Sequence, residues 1–197
     1  MISRAKFYDV IRARLFDGKL TKDQVDGFEK ILNFWDEWKP TGDVRHLCYM
    51  LATVYWETAR TMQPIHERDN KSGSYLKGKK YYPYYGRGLV QLTWEQNYRL
   101  MQRILLEVYG ISADLVANPH LAEGWNVALP VMFEGMFMGE TGKGDFTGKS
   151  LEDYFGTKEF DPVNARRIIN GTDRAKEIAN IYNEFSNAML ASVSTGR

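Results

Sequence analysis

Hydrophobic residues recur at helical spacing along most of the chain, so the pattern predicts a mainly helical protein. Thr21-Lys-Asp-Gln24 has the form of a capping box, in which the first and fourth residues bond each other's backbone, and it starts an amphipathic helix. Thr93-Trp-Glu-Gln96 has the same form. The predicted helices cover residues 3–16, 21–39, 43–60, 93–109, 123–138, 150–155, 161–170 and 173–190.

The helical period is lost between Met62 and Val90, where glycines, prolines and tyrosines are concentrated. This composition predicts a long loop with one or two short strands. A loop of this length inside a compact domain is usually functional.

The chain of 197 residues has the length of one domain, and we expect residues 1–197 to form it. Its formal net charge of +1 argues against a nucleic-acid partner, because such proteins usually carry a strong basic surplus. A single cysteine, Cys48, excludes an internal disulfide, and its apolar helix predicts a core position. The three histidines lack metal-ligand spacing, so we expect neither a metal nor another cofactor.

Glu57 lies on the apolar face of the predicted helix 43–60. At 100° per residue it falls within about 20° of Met50 and about 60° of Val54. A carboxyl group in such surroundings is desolvated, which raises its pKa toward the value that a general acid needs near neutral pH. The alternative is a buried glutamate that is neutralised by Arg60 or another cation.

Glu67 is the second acidic residue of interest. A continuous helix from residue 57 would separate the two carboxylates by about 15 Å. An inverting glycosidase holds them about 6.5–9.5 Å apart, with a water molecule between. Pro64 interrupts the helix, so the chain is able to turn and bring Glu67 back. The polar neighbours of Glu67 favour its ionised form, although an ordinary solvated loop has the same composition.

A glycine-containing motif follows this loop and carries neutral hydrogen-bonding side chains at Gln91, Thr93 and Asn97. Gln91 and Thr93 alternate with apolar residues, so in a short strand they would share one face. Nearby aromatic residues (Tyr84, Tyr85 and Trp94) fit either stacking on sugar rings or packing in the core.

Four segments of the chain, in this order, resemble the core of glycoside hydrolase family 19, most closely that of tailed-phage endolysins. They are Trp56-Glu-Thr58, Pro64-Ile-His-Glu67, Tyr85-Gly-Arg-Gly-Leu-Val-Gln-Leu-Thr93 with Asn97, and Arg166-Arg-Ile-Ile-Asn-Gly171. The resemblance spans about residues 43–190. It implies a mainly α, lysozyme-like α+β fold with two helical lobes around a catalytic cleft and a small loop/β element near residues 64–92.

The resemblance also implies functional roles. Glu57 would protonate the glycosidic oxygen, Glu67 would activate a water on the opposite face of the sugar, and Thr93 would help to hold that water. We expect the substrate-binding residues to be Gln91, Asn97, Asn170, Tyr85 and Arg87.

Two departures from the family pattern favour peptidoglycan over chitin as the substrate. Family chitinases commonly have histidine before the acid and a glycine pair soon after it, where this chain has Trp56 and Ala59-Arg60. The chain also lacks the cysteines of the secreted plant members. We therefore expect a monomeric phage or prophage endolysin without a separate wall-binding module or stable membrane insertion.

The charged N-terminal segment lacks the apolar core of a signal peptide. We expect synthesis in the host cytoplasm, release through a holin lesion and action on the periplasmic cell wall. A basic face on the last helices (Arg166, Arg167, Arg174 and Lys176) is a hypothetical aid in disturbing an anionic outer membrane. The alternatives are a chitinase and a non-catalytic glycan-binding relative.

Overall fold

The computed structural model describes residues 3–70 and 72–193, and helices dominate both ranges. The α-helices in these ranges are α1 (Arg4–Leu15), α2 (Lys22–Trp38), α3 (Val44–Glu57), α4 (Glu95–Tyr109), α5 (Trp125–Met136), α6 (Leu151–Tyr154) and α7 (Ala175–Ser192). Short 3-10 helices cover Leu76–Gly78, Pro119–Glu123 and Asn164–Ile168.

Two apolar clusters form the interiors of the two predicted lobes. The larger cluster is built mainly from α1, α2, α3, α5 and α7, and α7 packs against both α1 and α3. The smaller cluster is formed by the buried face of α4 together with Leu92, Leu115, Ala122, Val127 and Val131. Phe146 packs against both clusters, so it lies where the lobes meet. The mainly helical, lysozyme-like fold is confirmed.

A two-stranded antiparallel sheet lies within the predicted loop/β element. Strand β1 (Ile65–His66) pairs with β2 (Arg87–Gly88), and Ile65 stands opposite Gly88. Two backbone hydrogen bonds, at 3.1 Å and 2.8 Å, also link Arg87 and Leu92, so residues 88–91 form a tight turn. Gln91 has φ +57° in this turn, so Gln91 and Thr93 do not form the short strand that their alternation with apolar residues would allow.

Two helix boundaries and one helix type depart from the predictions. Helix α4 begins after Trp94, which has φ +75° and makes no side-chain cap, so the predicted capping box at Thr93 is wrong. Helix α3 ends at Glu57 rather than near Arg60. The predicted helix 161–170 is instead the 3-10 helix Asn164–Ile168. Within residues 3–70 and 72–193, no helix combines the length and hydrophobicity of a transmembrane segment.

Candidate active site

A cleft of about 710 Å³ receives residues from both lobes and from the β element. Six of the eight predicted site residues line it: Glu57, Glu67, Gln91, Thr93, Asn97 and Asn170. The remaining lining residues are Tyr81, Gly86, Val90, Leu92, Trp94, Gln96, Phe146, Thr147, Ile169 and Gly171. The fold thus brings together acidic, amide and hydroxyl groups that are widely separated in the sequence.

Glu57 is the last residue of α3, and its side chain is only 13% exposed. Burial is the dominant influence and raises the pKa of Glu57, which is the direction predicted from its place on the apolar face. Arg166, whose side chain is 4% exposed, donates a hydrogen bond from Nη1 to Glu57 Oε1 and partly opposes this rise. Glu57 is therefore a desolvated carboxyl group in contact with one guanidinium.

Arg166 was not predicted as a site residue. It lies in the 3-10 helix Asn164–Ile168, and its Nε donates to the carbonyl oxygen of Asp173 at 3.1 Å. Arg166 is thus the other cation that the sequence allowed as a partner of Glu57, whereas Arg60 bonds to Asp17. Because Arg166 is buried, it does not belong to the hypothetical exposed basic face, whereas Arg167, Arg174 and Lys176 are exposed.

Glu67 follows β1 and has different surroundings. Its backbone N–H donates to the Gly86 carbonyl oxygen at 2.7 Å, which fixes the chain beside β2. Its Oε1 accepts from the Tyr81 hydroxyl at 3.0 Å, and its Oε2 accepts from the Gly86 N–H at 3.4 Å. Burial, together with this bond to Glu67, raises the pKa of Tyr81 to about 12, so Tyr81 stays a proton donor.

Gly86 is the residue that permits the close packing beside Glu67. A Cβ at this position would lie 2.6 Å from Gln91 Oε1, closer than a non-bonded contact allows. Gln91 Nε2 donates to the carbonyl oxygens of Ile65 (3.2 Å) and Gly88 (3.4 Å). The side chain of Gln91 thus ties the turn to the β element while facing the cleft.

The Thr93 hydroxyl is positioned by its own hydrogen bond, which it donates to the Gln91 carbonyl oxygen at 2.7 Å. Its lone pairs remain able to accept a hydrogen bond from a water molecule. Asn97 Nδ2 donates to the Thr93 carbonyl oxygen at 3.0 Å. On the opposite lobe, Asn170 is exposed, and its Oδ1 accepts from the Gly171 N–H at 2.9 Å.

Arg87 and Tyr85, both predicted to bind substrate, lie outside the lining of the cleft. Arg87 is 2% exposed, and its Nη1 donates to the carbonyl oxygens of Pro83 and Tyr85 and to the Tyr98 hydroxyl, at 3.0–3.1 Å. The Tyr85 ring covers the guanidinium at 3.6 Å. The structure therefore places both residues in a packed support beneath the β element rather than in contact with the cleft.

Glu123 joins this support to the smaller lobe. Its carboxylate oxygens lie 2.9 Å from His66 Nδ1 and 2.8 Å from His120 Nδ1, and 3.4 Å from Arg87 Nε. His66, in β1, directly precedes Glu67, and Arg87 stands opposite His66 in β2. The Glu123 carboxylate therefore contacts both strands. This contact fixes the strand from which Glu67 projects.

Trp94 and Phe146 add apolar surface to the cleft. Trp94 is 43% exposed and meets the Tyr81 ring edge-on at a centroid distance of 5.5 Å. Its neighbour in the motif, Tyr84, instead packs on Tyr98 and bonds to the Val116 carbonyl oxygen. Trp94 therefore presents an exposed aromatic face to the cleft, whereas Tyr84 belongs to the packing of the smaller lobe.

No family model and no curated protein matches the chain. Solved structures do match it over its whole length. Chitinase C from Streptomyces griseus aligns with a TM-score of 0.56 at 21% identity and is covered over 78% of its chain. A class IV family 19 chitinase from Zea mays aligns with a TM-score of 0.57 at 15% identity, over 98% of its chain.

The chain has the fold of the family 19 chitinases. A bacterial family 19 chitinase, aligned with a TM-score of 0.53 at 20% identity over 97% of its chain, agrees with this assignment. The predicted family 19 core is confirmed at the level of the fold. Over residues 3–70 and 72–193 no group of three or more His, Cys, Asp or Glu side chains is arranged to hold a metal ion.

Proposed function

We propose that this protein is a glycoside hydrolase that cleaves β-1,4 bonds of bacterial peptidoglycan by an inverting mechanism. The observation that carries the proposal is the pair of carboxyl groups in one cleft, of which Glu57 is desolvated and Glu67 is held by neutral hydrogen-bond donors. Environments that separate the protonation of two carboxyl groups are the requirement for one general acid and one general base.

In this mechanism Glu57 protonates the glycosidic oxygen as the bond to the leaving sugar breaks. Because it is buried, Glu57 stays protonated at a higher pH than an exposed carboxyl group does. After proton transfer the carboxylate is negative, and the guanidinium of Arg166 stabilises that charge. Arg166 thus limits how far burial raises the pKa and assists the acid when it loses its proton.

Glu67 acts as the base that removes a proton from water attacking the opposite face of the sugar. Its bonds to Tyr81 and Gly86 orient the carboxylate, and the Thr93 hydroxyl accepts a hydrogen bond from the same water. Direct attack by water inverts the anomeric configuration, because no glycosyl–enzyme intermediate forms.

The amide side chains along the cleft are suited to sugar hydroxyl and N-acetyl groups. Asn97 and Asn170 stand on opposite lobes, so a glycan strand lying between them meets both. Gln91 is left with its carboxamide oxygen for substrate, because its nitrogen is bonded to two backbone carbonyl oxygens. Trp94 supplies an exposed aromatic face beside Glu67.

The proposed biological role is that of a single-domain, monomeric phage or prophage endolysin. Its endolysin-like motifs and its departures from the chitinase pattern at Trp56 and Ala59-Arg60 support this role. The proposal includes synthesis in the host cytoplasm and release through a holin lesion. Once released, the enzyme cuts the periplasmic cell wall as a muramidase.

Lysis of outer-membrane-permeabilised Gram-negative cells by wild type, Glu57→Gln and Glu67→Gln tests the mechanism. We expect each variant to lose at least about a hundredfold in rate, since general acid–base catalysis contributes about 10²–10⁴-fold. The exposed Glu95→Gln is the matched control and should lyse cells normally. A folded Glu57→Gln protein that keeps most of the activity would refute the mechanism.

A chitinase is the second candidate, favoured by the similarity of the fold to chitinases from Streptomyces griseus and Zea mays. Parallel digestion of purified sacculi and of chitin hexamers distinguishes the two. If products form from chitin but not from sacculi, the substrate is chitin rather than peptidoglycan. Binding to either polymer without products would indicate a non-catalytic glycan-binding protein.

A further inference from the structure

Residues 67–82, here called the basic loop, carry excess positive charge beside the cleft. The loop has two carboxylates against five cations, although the whole chain has a formal net charge of only +1. The cations are Arg68, Lys71, Lys77, Lys79 and Lys80. Arg68, Lys77 and Lys80 are exposed, and Lys79 is partly exposed.

Four of the five cations of the basic loop have no ion-pair partner within the described part of the protein. Arg68, Lys77, Lys79 and Lys80 form no ion pair within 4.0 Å there, whereas Arg4 pairs with Asp36. The loop's own carboxylates have other partners. Glu67 is bonded to Tyr81, and Asp69 accepts from the backbone N–H groups of Asn70 (2.8 Å) and Leu76 (3.1 Å).

Lys79 and Lys80 lie next in the chain to a residue on the rim of the cleft. Tyr81 lines the cleft and bonds to Glu67, and it directly follows Lys79 and Lys80 in the chain. A backbone hydrogen bond from Tyr82 N–H to the Lys79 carbonyl oxygen, at 3.1 Å, closes this turn. The ammonium group of Lys79 lies 4.0 Å from the centre of the Tyr75 ring, which is 46% exposed.

We infer that the basic loop binds the carboxylates of the stem peptides as a peptidoglycan strand passes through the cleft. The inference rests on the proposed function and names the part of the substrate that the Glu67 side of the cleft recognises. Chitin is uncharged, whereas stem peptides carry free carboxylates on flexible chains. Lysine suits such targets because its ammonium group is a mobile point charge that needs no fixed geometry.

The test uses Lys77→Gln/Lys79→Gln/Lys80→Gln, none of which belongs to the proposed catalytic machinery. The matched control replaces three exposed lysines away from the cleft, Lys6, Lys19 and Lys22, by glutamine, with the same change in charge. The substrates are purified sacculi and the same sacculi after carbodiimide conversion of their carboxylates to neutral amides. Rates are measured at low and at high salt.

On native sacculi, the basic-loop variant should lose about threefold to tenfold in kcat/KM at low salt, as expected for several exposed charge pairs. High salt should remove the difference, because it screens exposed charges. The variant and the wild type should cleave amidated sacculi at the same rate, and the control variant should behave as wild type on both. Equal loss on native and amidated sacculi, or no loss on either, would overturn the inference.

Binding separates this inference from the proposed function. The same lysine substitutions are placed in the Glu57→Gln background, and sedimentation with native or amidated sacculi is measured. Charge-dependent binding to native sacculi would support the basic loop's role even if the wild type released no products. Absence of charge-dependent binding would overturn it whether or not the enzyme cleaves peptidoglycan.

Discussion

The contact between Arg166 and Glu57 makes a quantitative prediction about the pH dependence of the enzyme. Arg166→Met removes the guanidinium and keeps much of the side-chain volume. An opposite charge in contact lowers a carboxyl pKa by about 1–3. Solvent screens this pair weakly, since the two side chains are 4% and 13% exposed. The substitution should therefore raise the pKa of Glu57 still further above its ordinary value, because burial then acts without an opposing charge.

Activity reports this change through the alkaline limb of the kcat/KM profile. Glu57 must be protonated to act as the acid, so the pH at which activity falls should move upward by the same amount. Release of soluble fragments from labelled sacculi, measured between pH 4 and 10, gives the profile. Arg167→Met, in an exposed neighbour, is the matched control and should leave the limb in place.

Stability provides a second measurement with a definite sign. Because the folded pKa of Glu57 lies above its unfolded value, the folded state binds the proton more tightly between these two values. Its contribution to stability is therefore full below the unfolded pKa and is lost as pH rises through the folded pKa. Removing the guanidinium extends this loss, so Arg166→Met should lose more stability than wild type on going to high pH, by at most the roughly 3–5 kcal/mol that an unpaired buried charge costs.

Urea unfolding across the same pH range measures this loss. In the double variant Glu57→Gln/Arg166→Met the additional pH dependence should disappear, because no titrating group remains at position 57. An alkaline limb that stays at the wild-type position in Arg166→Met, or a double variant with undiminished pH dependence, would refute the assignment of Arg166 as the group that controls Glu57.

Three further substitutions test the cleft. Thr93→Val should lower kcat by about a hundredfold, and Thr93→Ser should restore most of it; a fully active valine variant would exclude the water-holding role. Trp94→Ala should raise KM about threefold to tenfold with little change in Tm, since one aromatic contact contributes about 0.5–1.5 kcal/mol; an unchanged KM would argue against stacking. Gly135→Ala should lower the free energy of unfolding by about 1–3 kcal/mol, because its Cβ would lie 1.8 Å from a ring carbon of Phe146. Gly78→Ala, which has open space, is the control in urea unfolding, and equal stability of the two variants would contradict this packing.

Helix positions were predicted well where one short segment contains all the interacting groups. The capping box at Thr21 forms as predicted, because its two reciprocal hydrogen bonds depend only on residues 21–24. Thr93 has the same local pattern, but its hydroxyl donates to the Gln91 carbonyl oxygen instead. The turn that places Gln91 at φ +57° is fixed by backbone pairing between Arg87 and Leu92 and by contacts with β1.

In the candidate site, too, locally determined features could be predicted and features that depend on distant residues could not. The direction of the pKa shift of Glu57 follows from helix geometry, because Glu57 shares a face of α3 with Met50 and Val54, and both of these residues are buried. Its partner Arg166 is 109 residues away, and no local pattern identifies which of several arginines reaches α3. The family resemblance implied that Arg87 binds substrate, but the tertiary fold buries its guanidinium under Tyr85.

Digestion of purified sacculi, with analysis of the released muropeptides by mass spectrometry and of the new reducing ends by NMR, tests the central claim most directly. The proposed mechanism predicts N-acetylmuramic acid at the new reducing ends, released first as the α-anomer. Glu57→Gln and Glu67→Gln should release almost none of it. Initial release of the β-anomer, or equal release by wild type and Glu57→Gln, would contradict an inverting hydrolysis by this pair of carboxyl groups.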